Sequence, residues 1–220
     1  METDWDRTWP KILQATAETL YLVSATLVLA TIVGITLGLL LYATRPGNVL
    51  QNRLVHTVLN VAINIVRPIP FIIFIVALTP LTRIVVGTSI GANAAIFAMT
   101  IAASLAVARI AESNLVAVSP GVIEAAQAMG AGPITILARV VIPEALGPLT
   151  LGMTYILVAL IDFSAMAGVV GGGGLGSLAM VYGYQRFEVD VMVVTIVILV
   201  ALVQLSQFVG DRLARAIMHR

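Results

Sequence analysis

From residue 19 to residue 43 the chain carries no charged side chain, a run of 25 residues that is long enough to cross a bilayer as a helix. Hydrocarbon offers the backbone no hydrogen bonds, so such a segment must satisfy its N–H and C=O groups internally, as an α-helix does. The run is not isolated. Hydrophobic residues make up 60% of the 220-residue chain and charged residues 10%, where soluble proteins carry about 25% charged. These features predict an all-α integral membrane protein and exclude a soluble enzyme. They also leave no room for a nucleotide-binding domain, so any energy source is a partner. Cysteine is absent, which excludes a disulfide framework and a thiolate metal centre.

Windows of about 20 apolar residues predict five spans in a single transmembrane domain covering residues 1–220: about 19–43, 54–79, 90–108, 146–169 and 189–209. Arg67-Pro68-Ile69-Pro70 interrupts the second span and predicts a kink or break. The first ten residues are acidic and aromatic and lack the pattern of a cleavable signal peptide, so the amino terminus is expected to be retained. In a five-span arrangement Arg45, Arg53, Arg109, Arg139, Arg212, Arg215 and Arg220 share one side, and Arg7, Lys11, Arg83 and Arg186 the other. The positive-inside rule makes the richer side cytoplasmic, with the amino terminus outside and the carboxyl terminus inside. No internal repeat is present, so a path on a two-fold axis requires a second copy of the chain.

Residues 119–143 then lie in the cytoplasm. Ser119 is suited to cap a helix with Pro120 at its first position, and Gly130 to end it in the left-handed conformation. Glu124 near the start complements the helix dipole, while Ala125, Ala126 and Ala128 give it a low profile. A second short helix is expected to begin at Pro133 and stop at Pro143. The residues alone fit a docking surface and a passive interfacial loop equally well.

The spacing Glu124-Ala125-Ala126, three residues, Gly130, nine residues, Val140-Val141-Ile142-Pro143 resembles the cytoplasmic signature of the membrane subunits of ATP-binding-cassette importers. Val140 and Ile142 stand where that signature has Ile and Leu. Tyr42 to Gly47, Arg67 to Phe71, Thr82 to Gly91, Ser164-Ala165-Met166 and Gly173 to Gly176 extend the resemblance to the methionine-importer permeases. It implies the type I importer fold in a bacterial cytoplasmic membrane, as a multi-pass homodimer with two cytoplasmic ATPases and an extracytoplasmic substrate-binding lipoprotein. The substrate implied is a small amino acid, most of all methionine in its L- and D-forms, and the chain itself has no catalytic role. In such proteins the segment is a coupling helix seated in a cleft of the ATPase, which assigns that contact here to Glu124, Ala125, Ala126, Met129, Gly130 and Pro143. The methionine matching Met166 contributes to their gate.

Beyond the resemblance, His56, Asn60, Asn64 and Arg67 recur at helical spacing and form one polar stripe. Polar groups at membrane depth face protein or water. The stripe therefore fits a wet path, or a set of contacts in which the asparagines bond neighbouring helices and His56 and Arg67 reach the boundary. Asp162 and Met166, four residues apart, share a face of the fourth span. Asp162 fits either a contact with a substrate amino group or an acid at the water boundary, and Met166 either a gate or packing. The run Gly171 to Gly176 contains G-x-G-x-x-G, but no strand precedes it and no phosphate-loop lysine completes it. It reads as an outer turn that permits close helix approach, and Gly34 and Gly38 as a packing face.

No cofactor or nucleic-acid partner is expected, and no metal, since the only histidines, His56 and His219, lie far apart in the sequence and form no ligand pair. Three other functions are open to such a chain: a permease for another amino acid or small polar solute, an ion-coupled secondary transporter using Asp162 and Arg67, and a membrane enzyme, which no pair of metal-ligand histidines or nucleophile-base constellation supports. The secondary transporter lacks the repeated halves with paired broken helices expected of it.

Overall fold

A computed structural model of the chain describes residues 4–48 and 50–218, and these contain helices and turns but no strand. Arg220 and His219 lie outside the described residues. Helix α1, Trp5–Thr44, is 40 residues long, or about 60 Å at 1.5 Å per residue, twice the hydrocarbon thickness of a bilayer. It begins well before the expected span because Asp4 accepts the Arg7 N–H and starts the helix in the polar segment.

The second span is broken. Helices α2, Arg53–Val66, and α3, Phe71–Ala77, meet at 110°, across the two prolines that remove backbone donors and hold φ. Asn52 caps α2 by accepting the Leu54 and Val55 amides. A short α4, Thr79–Val86, follows and ends at Gly87 in the left-handed region. Helix α5, Ala92–Val116, continues beyond the expected end near residue 108. Arg109 is therefore not a loop residue but lies inside α5, where Glu112 one turn on neutralises it. The charge count for orientation loses Arg109 and keeps its sign.

Helix α6, Pro120–Ala128, is followed by α7, Pro133–Ile136, a π-helical turn Leu137–Val141 and α8, Ile142–Val169. Pro143 does not stop the helix as expected. The wide turn lets the Ile142 N–H reach the Leu137 carbonyl, and proline in the first turn of the segment that follows costs little because its missing donor is spared. Helix α9, Gly174–Leu178, a second π-helical turn Ala179–Gln185 and α10, Val189–Met218, complete the chain.

Four stretches among the described residues are long and apolar enough to cross a membrane: α1, α5, Pro133–Val169 and α10; the bent α2–α3 pair makes a fifth if counted as one span. In α5 56% of the apolar window is buried and in α10 11%, which makes α5 the central helix and places α10 at the periphery of the chain. The α1–α5 contact is close because a Cβ on Gly34 would lie 2.5 Å from Val107 Cβ, and one on Gly38 2.5 Å from Ala111 Cβ. Around this seam Leu22, Ala30, Met99, Ala103, Val107 and Leu160 form the main core.

The glycine run is a hydrogen-bonded joint between elements. Glu18 Oε2 accepts the Gly174 N–H at 2.8 Å and Thr19 Oγ1 the Leu175 N–H at 2.9 Å, so α1 supplies the acceptors that the start of α9 lacks. Gly176 sits against the Ala165 backbone with no space for a side chain.

Candidate functional site

Between α2, α5 and α8 lies a cavity of about 550 Å³ whose lining includes Arg67, Arg109, Tyr155, Asp162 and Phe163. The rest of the wall is apolar or small, with Ala103, Ala106 and Ala159 among it. Small residues on α5 leave the volume open, and the α2 break brings Arg67 to its edge. Phe163 is fixed by stacking on Phe71 of α3, with ring centroids 4.3 Å apart.

The polar stripe on α2 divides. Arg109 donates from Nη2 to Asn60 Oδ1 at 2.6 Å and to Asn64 Oδ1 at 2.8 Å, and from Nη1 to Glu112 Oε2 at 2.6 Å. Asn64 Nδ2 also donates to Asn60 Oδ1 at 3.3 Å. The two asparagines therefore bond a neighbouring helix, while His56 Nδ1 lies 3.1 Å from the Leu41 carbonyl of α1. Glu112 is buried, and a buried carboxylate is tolerated only when paired and hydrogen-bonded. Sequence reading missed Glu112, Tyr155 and Phe163 and misplaced Arg109. The available signal was the Arg109–Glu112 spacing of one helical turn, legible only once α5 is known to continue past residue 108.

The structure brings Arg67 and Asp162 to one cavity. Neither side chain has a hydrogen bond or ion pair within the described chain. Met166, one turn beyond Asp162, packs against the main core and is not part of the cavity wall.

At the end of the fold where α5 finishes, α6 forms a short external helix. Ala126 is buried with Tyr42, Leu115, Ile136, Val141 and Ala145, while Glu124, Ala125 and Ala128 are exposed. Met129 and Ile134 are 82% and 74% exposed, so a carboxylate, small alanines and two large apolar side chains share the surface of one segment. Ser119 makes no side-chain cap; its carbonyl instead accepts the Val122 N–H at 3.2 Å. The other end closes as expected. Gly130 has φ +79°, its N–H reaches the Gln127 carbonyl at 2.9 Å and the Ala131 N–H the Ala126 carbonyl at 3.1 Å, the pair of bonds that defines a Schellman cap. From Pro133 the helix runs without interruption into α8 and so to Asp162.

A bundle of membrane-length helices around a cavity bearing ionic groups, with an external helix continuous with its wall, defines the class of multi-pass transport permeases. Residues 34–219 match the inner membrane component of binding-protein-dependent transport systems, and the chain belongs to that family. Over 209 residues it is 44% identical to a probable D-methionine transport system permease protein of Vibrio cholerae, covering 95% of this chain and 93% of that one. It is 42% identical over 181 residues to the methionine import system permease protein of Bacillus subtilis, covering 82% of each. The fold matches a solved inward-facing conformation of the MetNI methionine ABC transporter with a TM-score of 0.92 and 41% identity, over 98% of this chain and 99% of that one. An amino acid ABC transporter solved with histidines shares the fold, with a TM-score of 0.76 at 20% identity.

Proposed function

We propose that this chain is the membrane permease of an ATP-driven importer of methionine, in its L- and D-forms. It works as a homodimer with two cytoplasmic ATPase subunits and an extracytoplasmic binding protein, and hydrolysis takes place on the ATPase. Relatives with methionine-transport roles that align along nearly the whole chain support the substrate.

The observation that carries the mechanism is the continuity between the exposed segment and the cavity wall. Glu124, Ala125, Ala126, Met129 and Gly130 form the ATPase contact, and Pro143 fixes the wide turn through which the contact joins α8. When the ATPases close, they displace α6. Ala126, buried in one cluster with Ile136, Val141 and Ala145, passes that displacement through α7 and the π-helical turn to α8, and with it to Asp162 and Met166. Two packings of such a bundle, biased by the partner's nucleotide state, give alternating access. Substrate passes through the cavity at Arg67 and Asp162, with Asn60 and Asn64 fixing its edge and Met166 forming the gate.

Reconstitution of the complex with Glu124→Ala or Gly130→Ala tests the docking assignment. ATP hydrolysis is expected to continue while methionine uptake falls by about tenfold or more, a loss equivalent to one charge-assisted contact. Unchanged uptake in both variants rules out this contact.

A further inference from the structure

We infer that the cavity between α2, α5 and α8 reads its substrate as a zwitterion, with Arg67 taking the α-carboxylate, Asp162 taking the α-ammonium, and the apolar wall taking the side chain. The inference rests on the permease reading and names what the cavity selects.

Three observations carry it. Two arginines line the cavity, but Arg109 is already committed: its three hydrogen bonds go to Asn60, Asn64 and Glu112, and Glu112 neutralises it. Among the described residues Arg67 is left as the cavity guanidinium without a side-chain partner, and a guanidinium matches a carboxylate with two parallel bonds. Among the described residues Asp162 is the only carboxylate on the wall, and it likewise has no side-chain partner there. Opposite charges on one cavity that do not satisfy each other suit a ligand carrying both. The remaining wall is alanine, Ile110, Ile156, Leu160 and Phe163, with Tyr155 at the edge. This composition accepts a flexible apolar side chain without reading it closely. The volume of about 550 Å³ lies within the range of about 300–1,000 Å³ common to small-molecule sites. Arg109 is a positioning residue, which holds α2 to α5 and so keeps Arg67 at the rim.

The chain's lack of cysteine makes the test direct. Ala106→Cys places one thiol on the wall, and its maleimide labelling is followed in the assembled complex in nanodiscs, with methionine, methionine methyl ester or N-acetylmethionine as the probe. The ester lacks the carboxylate and the acetyl derivative lacks the ammonium. Methionine is expected to slow labelling, and each derivative to need about tenfold more for the same effect, since each lacks one ionic contact. Adding Asp162→Asn should weaken methionine and the ester while leaving N-acetylmethionine unchanged, and Arg67→Gln should weaken methionine and N-acetylmethionine while leaving the ester unchanged.

If methionine gives no protection, or protects no better than both derivatives, the inference is overturned. The compound series on Ala106→Cys alone decides this even where a second substitution prevents assembly. ATP-driven uptake by the unsubstituted complex is measured alongside. Uptake with no protection overturns the zwitterion site and leaves the permease reading standing, whereas absence of uptake overturns that reading itself.

Discussion

Gly34 and Gly130 are glycines for different physical reasons. At Gly34 the backbone is ordinary helix, but a Cβ would meet Val107 Cβ at 2.5 Å and the Ser104 carbonyl at 2.7 Å. At Gly130 there is open space, and only the φ of +79° demands glycine. Gly34→Ala should therefore destabilise the α1–α5 seam by about 1–3 kcal/mol, the usual cost of overpacking, and lower the melting temperature in detergent. Gly130→Ala should cost about 1 kcal/mol locally and act mainly on coupling. A larger melting shift for Gly130→Ala than for Gly34→Ala, or loss of uptake in Gly34→Ala alone, contradicts this division. Arg109→Leu leaves the Glu112 carboxylate buried and uncompensated, and breaking such pairs costs about 3–5 kcal/mol. Because the Arg109 side chain is 25% exposed, the lower end applies. The double variant Arg109→Leu with Glu112→Leu should recover most of the loss in a double-mutant cycle; additive losses refute the coupling. The glycines and the helix-terminal Gly130 are legible as residue types. The Arg109 network is not, since its partners Asn60 and Asn64 lie on another helix.

At the scale of elements, the break in the second span is written in Pro68 and Pro70, because a missing donor and a fixed φ are local properties. Its 110° angle is set by packing and cannot be read from the chain. The continuation through Pro143 shows the converse. A proline stops a helix only when its neighbours have no other geometry, and the π-helical turn at Leu137–Val141 supplies one. The start of α9 depends on a partner 156 residues away in the sequence, which no local pattern announces. Thr19→Val removes the acceptor for the Leu175 N–H. The expected cost is about 1 kcal/mol, seen as faster amide exchange at Leu175 with little change at α5. Unchanged exchange there refutes the capping role.

For the whole molecule, the apolar runs made the fold class legible, since in a membrane only internally bonded helices are available to them. The arginine bias predicts an amino terminus outside and a carboxyl terminus inside, an expectation open to a simple check in the cysteine-free chain. Gln185→Cys should react with an impermeant maleimide on intact cells and Gln51→Cys only after the membrane is opened, whereas the opposite pattern inverts the orientation. Work done on the α6 segment is expected to move methionine through the cavity at Asp162 and Arg67. The test is ATP-driven methionine uptake into vesicles by the complete complex, with Glu124→Ala compared at equal ATPase assembly. Uptake should require ATP and collapse in the variant while hydrolysis continues. Uptake that persists without the ATPase, or that Glu124→Ala leaves unchanged, refutes the coupling.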